Sequence, residues 1–203
     1  MSTLLSLLEQ ESRWRNLLPA GETLTPATAF ALVRDIPYQR ASSRQPEAII
    51  QEWRGTCSGK HYALDRIFRQ LGMDSRVIMC THRFTLDNTG HFPPELRALV
   101  AQEPVPDVHT YLRLKTIRGW MTVDATWPGS AEPLGMPVNR WVNDGENMNI
   151  ACDPIDTYEV LSGQDPQAFK EQLIAEFCGA SGPVRDDFIE GMSRWLSNAT
   201  QGR

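Results

Sequence analysis

Residues 52–72, EWRGTCSGKHYALDRIFRQLG, place a cysteine between a loop and a run of helical periodicity. Leu64, Ile67, Phe68 and Leu71 fall on one helical face, and Gly72 stands where a left-handed residue ends the helix. Cys57 then occupies the first helical turn, where unpaired N–H groups and the positive end of the macrodipole favour thiolate over thiol. A thiolate nucleophile needs an imidazole to pair with it and to protonate the leaving group, and the imidazole needs an acceptor that fixes its tautomer. His109 and Asp124 are the residues that answer this requirement. Taken singly, each has an ordinary reading: a small buried hydrophobe, a polar strand-end residue, a turn aspartate. The conjunction of a helix-start Cys, a strand His and an Asp on the neighbouring strand points to a catalytic triad.

The elements that must position these groups are a helix and a hairpin. VHTYLRLKT and GWMTVDATW, two alternating segments about IRG, read as antiparallel strands. A four-residue loop, 115–118, sets His109 directly opposite Asp124, whereas a two-residue loop, 117–118, makes Asp124 its diagonal neighbour. Both registers put the two side chains on one face; an odd loop sends them to opposite faces.

Helical periodicity also occurs over 3–18, over 26–34 behind the Thr25 cap and Pro26, and over 46–53. SRVIMCT (75–81) reads as a strand, residues 94–102 as a short helix, TYEVL (157–161) as a strand, and 166–178 and 184–198 as closing helices. Residues 128–157, rich in Gly, Pro, Asn and Asp, read as a long loop forming a lid or rim, with NRWVNDGEN (139–147) over the cleft. The expected organisation is one α+β domain, 1–203, with a helical N-terminal segment (about 1–53) and a helical C-terminal extension (about 164–203).

GTCSGKHYALDRIFRQLGMDSRVIMC and DVHTYLRLKTIRGWMTVDATWP together resemble the transglutaminase-like superfamily over roughly residues 45–130. The likeness lies in a Gly-x-Cys helix start with a Leu-Gly end, an Arg-Val strand, a His-bearing strand, a Gly-Trp turn and a Val-Asp-x-Thr strand, in that order. The resemblance implies a papain-like core, a catalytic helix packed on an antiparallel sheet. It also implies Cys57 as nucleophile, His109 as general base and acid, and Asp124 as orienting carboxylate. Its implied reaction is attack on an amide or ester carbonyl through a thioester, without a cofactor, on a peptide, protein or small amide. The sequence departs from the family where Thr110 and Tyr111 replace the usual aromatic pattern after the histidine. Two alternatives stand beside this cysteine hydrolase or acyltransferase: a thioester-dependent N-acyltransferase resembling arylamine N-acetyltransferases, and a catalytically silent binding module of the same fold.

An oxyanion needs two donors: the backbone N–H of Cys57, and an upstream side chain for which Gln51, Trp53 and Gln39 are candidates. Trp127 is placed to shield the His109–Asp124 pair from water or to pack in the core. His61, one turn after Cys57, reads as a helix-surface histidine near the site. His82, His91 and Asp87 match no compact metal-ligand motif, and no metal is expected. Cys80 and Cys178 read as small buried hydrophobes, and the four scattered cysteines as free thiols.

Composition sets the outer bounds. The 203 residues are 41% hydrophobic and 22% charged with a net charge of −5, which gives no electrostatic reason for a nucleic acid or anionic membrane partner. No stretch approaches the about 18 apolar residues of a membrane span. The N-terminal MSTLLSLLEQESRWRNLL lacks the basic start and cleavage site of an export signal, so the expectation is a soluble cytoplasmic protein.

Overall fold

Capping residues set the helical start of the chain. In the computed structural model, which describes residues 3–201, helix α1 (Leu4–Trp14) begins where the Thr3 side chain accepts the Ser6 N–H, and α2 (Pro26–Arg34) where Thr25 accepts that of Thr28. Residues 1, 2, 202 and 203 of the expected domain lie outside the described residues. The first helix ends four residues short of expectation because Asn16 turns left-handed (φ 59°) and Leu17 N–H closes back on Ser12. Helix α3 (Pro46–Glu52) ends likewise at left-handed Trp53.

Helix α4 (Cys57–Gln70) stops as its sequence predicts: Gly72 has φ 80°, its N–H reaches Arg69 O, and Met73 N–H reaches Phe68 O, the Schellman pattern. Strand β1 (Ser75–Phe84) follows, then α5 (Pro94–Gln102), β2 (Val105–Thr116), β3 (Gly119–Val123), a 3-10 turn (Gly129–Leu134), β4 (Thr157–Glu159), α6 (Pro166–Cys178), a second 3-10 turn (Gly179–Ser181) and α7 (Gly182–Gln201). The fold is α+β, its four strands antiparallel in the order β3-β2-β1-β4. Strand β1 outruns the expected 75–81 because His82, Arg83 and Phe84 pair with Asp107, Pro106 and Val105. Pro106 is tolerated there because β3 pairs only as far as Leu112, leaving this part of β2 with one neighbour.

Helix α4 lies on β1 and β2, and the main core fills the space between them and α1–α3 with Phe30, Ile49, Leu64, Ile67, Phe68 and Leu112. A second buried cluster joins α5 and α7 to the far end of the sheet through Phe84, Phe92, Leu96, Phe188 and Met192. Gly59 allows α3 to approach the first turn of α4, since a Cβ there would stand 2.4 Å from Ile49 Cδ1. Among the described residues, no helix is long and apolar enough to cross a membrane.

Candidate active site

The hairpin adopts the two-residue register: Thr116 pairs with Gly119 and Leu112 with Val123 about Ile117 and Arg118. Strand pairing stops at Val123, so Asp124 is diagonal to His109 and free to turn toward it. Its carboxylate Oδ2 accepts from His109 Nε2 at 2.8 Å. The same oxygen accepts the Ala151 N–H at 2.9 Å, and Oδ1 accepts the Thr126 N–H at 3.0 Å. Asp124 is 1% exposed, and the charge and hydrogen bond of His109, with the Thr126 hydrogen bond, hold its carboxyl well below the usual carboxylate range against the upward push of burial.

His109 also acts on the Cys57 thiol, each side chain shifting the titration of the other. With Nε2 committed to Asp124, Nδ1 is the nitrogen left for sulfur. Burial favours the neutral ring, but the charge and hydrogen bond of Asp124, then the thiol, raise the His109 pKa well above its ordinary value. Burial likewise pushes the Cys57 thiol up. The charge of Lys170, followed by the hydrogen bond and charge of His109, outweighs it and brings the thiol down to about 6. The resting pair at neutral pH is therefore thiolate and imidazolium.

Two of these neighbours have no signal in the local sequence pattern. Lys170, from α6, is 2% exposed and places Nζ 3.6 Å from Cys57 Sγ, donating also to Ser58 Oγ at 2.7 Å and Thr110 Oγ1 at 3.2 Å. Thr110 is thus where β2 meets this lysine. Tyr38 is also buried; burial, and next the negative charge of Cys57, raise its phenol well above the ordinary value, so it remains a hydroxyl donor.

His61 is not the surface histidine its spacing suggests. It is fully buried, and its Nε2 accepts the Ala125 N–H at 2.8 Å, which fixes Nδ1 as the donor to Cys57 O at 2.7 Å. Burial, opposed by the charge of Asp124, brings its pKa down to about 4. A neutral ring with both nitrogens engaged is no second base; it fastens the first turn of α4 to the chain just past Asp124. Lys60 makes a parallel link, donating to Arg34 O at 2.8 Å and Thr126 O at 3.0 Å.

The 128–157 segment is tied down rather than open. Asn147 Oδ1 accepts the Thr122 N–H, and Asn139 Nδ2 donates to Asp124 O and to Asn149 O. Trp141, expected on a rim, packs instead against Phe30 and Phe68, with ring centroids 5.9 and 6.1 Å away. Behind His109, Asp107 is held by Arg185 Nε at 2.6 Å and lies 3.5 Å from His82 Nε2. A cavity of about 180 Å³ opens there, lined by His82, Phe84, His91, Phe92, Trp127 and Ala151 among others. Trp127 both packs in the second core cluster and walls this cavity, with the Tyr38 ring 4.9 Å away.

The structure does not bring the upstream donor candidates to the sulfur. Gln39 and Gln51 are exposed, the latter offering only its carbonyl to Arg15, and the Trp53 ring lies under the Arg15 guanidinium at 4.7 Å. Among the described residues, no hydrogen bond, ion pair or ring contact joins these three to Cys57, and no group of three or more His, Cys, Asp or Glu is placed to hold a metal ion. The cysteines are free: Cys178 donates to Pro106 O, and Cys80 and Cys152, 72 residues apart, have sulfurs at 3.6 Å. Comparison of the chain with family models, curated proteins and solved structures gives no match.

Proposed function

We propose that this protein is a cysteine-dependent acyl-transfer enzyme that cleaves an amide or peptide bond through a thioester on Cys57. The observation that carries the reading is the imidazole of His109, hydrogen-bonded to the Asp124 carboxylate at 2.8 Å and close enough to Cys57 for its charge to help bring the thiol down to about 6. A cysteine at the start of a helix that packs on an antiparallel sheet also supports a papain-like or transglutaminase-like core.

In this mechanism the thiolate attacks the carbonyl carbon, the S–C bond forms, and the carbonyl electron pair moves to oxygen. The Cys57 N–H in the first turn of α4 is the donor assigned to that oxyanion. Collapse expels the amine, which takes the imidazolium proton from His109. The now neutral ring accepts a proton from water as it attacks the thioester, and the carboxylic acid product leaves thiolate and imidazolium restored. Asp124 keeps its charge throughout and holds the ring.

Thiol labelling followed by intact-mass analysis tests the reading. By exposure alone Cys152 should react first, because Cys57, Cys80 and Cys178 are buried whereas Cys152 is half-buried. Activation reverses that order at pH 7, since the Cys57 pKa lies at about 6 and that of Cys152 is raised by its hydrogen bond to Cys80 and by burial. The expected result is a first adduct on Cys57 with iodoacetamide, a transient acyl adduct there with activated esters, and slowing of both in His109→Ala, where Lys170 still lowers the thiol pKa. Labelling of Cys152 ahead of Cys57 would overturn the assignment.

A further inference from the structure

Two thiols outside the triad meet in a contact that the acyl-transfer steps do not use. Cys80 is fully buried on β1, and its sulfur lies 3.6 Å from that of half-buried Cys152, in a small apolar cluster with Ile78, Tyr111 and Ile150. The two sides of the contact differ in freedom. Cys80 is fixed in the sheet, paired with His109 on one side and Thr157 on the other. Cys152 lies between two anchors: the Ala151 N–H is bound to Asp124 Oδ2, and the Ile155 N–H to Thr81 O. Among the described residues, Cys152 itself makes no backbone hydrogen bond. A disulfide is about 2.05 Å long, so closing one needs the sulfurs to approach by about 1.5 Å. The unanchored span 152–154 absorbs that movement while β1 stays in place.

Cys152 is also the partner that a small molecule reaches, since it lines the cavity of about 180 Å³ together with His82, Asn88, Ala151 and Asp153. The hydrogen bond from Cys152, against burial and with the charge of His109, lowers the Cys80 pKa, and the same bond raises that of Cys152. One proton thus joins the two sulfurs, and its transfer to Cys80 leaves the thiolate on the residue that lines the cavity. We propose that Cys80 and Cys152 form a reversible redox site, which a small hydroperoxide entering this cavity oxidises to a disulfide. The Cys152 sulfur attacks the terminal peroxide oxygen, the S–O bond forms, and the O–O bond breaks to release an alcohol or, from hydrogen peroxide, water. The Cys80 sulfur then attacks the sulfenic sulfur, the S–S bond forms, and the hydroxyl departs as water with the second thiol proton. Two thiols are oxidised and the peroxide is reduced by the same two electrons. The new bond fastens the segment that carries Ala151 to β1 beside His109.

Hydrogen peroxide at pH 7, removed with catalase before intact-mass analysis and non-reducing peptide mapping, tests this in a Cys57→Ser protein, where the triad thiol does not compete. The expected result is a loss of about 2 Da with a linked Cys80–Cys152 peptide, both reversed by dithiothreitol. The link joins residues 72 positions apart, so the oxidised protein should melt about 5–15 °C higher. Cys178, whose thiol burial pushes up to about 11, is the internal reference: the link should form at least about tenfold faster than Cys178 gains oxygen. Cys80→Ser in the same background should stop at a sulfenic acid on Cys152, a gain of about 16 Da that dimedone traps. Oxygen gain without the linked peptide, a link to Cys178 or to a second molecule, a link no faster than oxidation of Cys178, or an unchanged Tm overturns the proposal. The linked peptide sought in the wild-type protein decides the matter where a variant does not fold, and no outcome bears on the role of Cys57.

Discussion

Asp124→Asn is the sharpest test of how the site holds its charge, because it exchanges one carboxylate oxygen for an NH₂ group at nearly constant volume. The carboxylate accepts from His109 Nε2 and Ala151 N–H on one oxygen and from Thr126 N–H on the other. An asparagine has one acceptor oxygen. With that oxygen toward His109, its NH₂ group opposes the Thr126 N–H, leaving a buried donor unsatisfied at a cost of about 1–3 kcal/mol. That corresponds to a fall in Tm of about 2–4 °C per kcal/mol for a chain of this size. The loss of charge acts separately. A hydrogen bond to a charged group contributes about 1.5–3 kcal/mol, or about 1–2 pKa units. The imidazolium loses that support and the thiol pKa climbs from about 6 toward about 7–8, Lys170 still acting on the sulfur. At pH 7 the thiolate fraction falls from about 90% to between about 50% and 10%, so alkylation by iodoacetamide slows about two- to tenfold. The direction follows from the imidazolium losing its counter-ion and with it its hold on the thiolate: the rate profile moves to higher pH, and the two proteins converge near pH 9. Stopped-flow alkylation from pH 5 to 9 measures it. A folded Asp124→Asn protein with the wild-type profile would refute the claim that the Asp124 charge reaches the sulfur through His109.

Three further outcomes follow from the buried polar groups around the triad. His61→Phe orphans the Ala125 N–H and the side-chain link to Cys57 O; it should cost about 1–3 kcal/mol by urea unfolding and slow Cys57 alkylation, and wild-type values of both would remove its positioning role. Burial, against the charge of Asp35, brings the Lys60 pKa from its ordinary value down to about 7. The unfolded chain therefore holds a proton that the folded chain has lost between about pH 7 and 10, and stability rises with pH in that window. Lys60→Met should flatten the rise by up to about 1.4 kcal/mol per pH unit. Denaturant midpoints at pH 7, 8 and 9 check this, since the contribution of Cys57 is common to both proteins. Arg185→Met leaves Asp107, 5% exposed, without its closest cation, and should destabilise by about 3–5 kcal/mol in urea unfolding; a loss below about 1 kcal/mol would mean that His82 alone suffices.

Local patterns in the chain carry most of the element order, and the reasons are visible residue by residue. Gly72 ends α4 because a left-handed residue is needed where Met73 turns back to Phe68, and Thr25 with Pro26 opens α2. The hairpin was legible except for its register, which the pairing of Thr116 with Gly119 decides. The inner surroundings of the triad were not legible, for a physical reason. The start of α4 buries Ser58, Lys60 and His61 together with its apolar residues, so apolar periodicity sees an exposed face where there is none. Lys170 reaches the sulfur from 113 residues away, on a helix whose pattern, PQAFKEQLIAEFC, reads as an ordinary solvated one.

The same physics explains why the long segment after Trp127 reads as a lid or rim in the sequence. Its Asn and Asp content marks irregular backbone, but here those amides replace a sheet neighbour. Asn147 takes the Thr122 N–H, Met148 donates to Thr122 O, and Asn139 binds Asp124 O while accepting from Asn149 N. Side-chain amides carry both a donor and an acceptor, so they can satisfy backbone groups where no strand runs. The outcome is that Ala151 N–H is delivered to Asp124 Oδ2 at 2.9 Å. The segment that looks least structured in the chain therefore supplies one of the three hydrogen bonds that hold the Asp124 carboxylate.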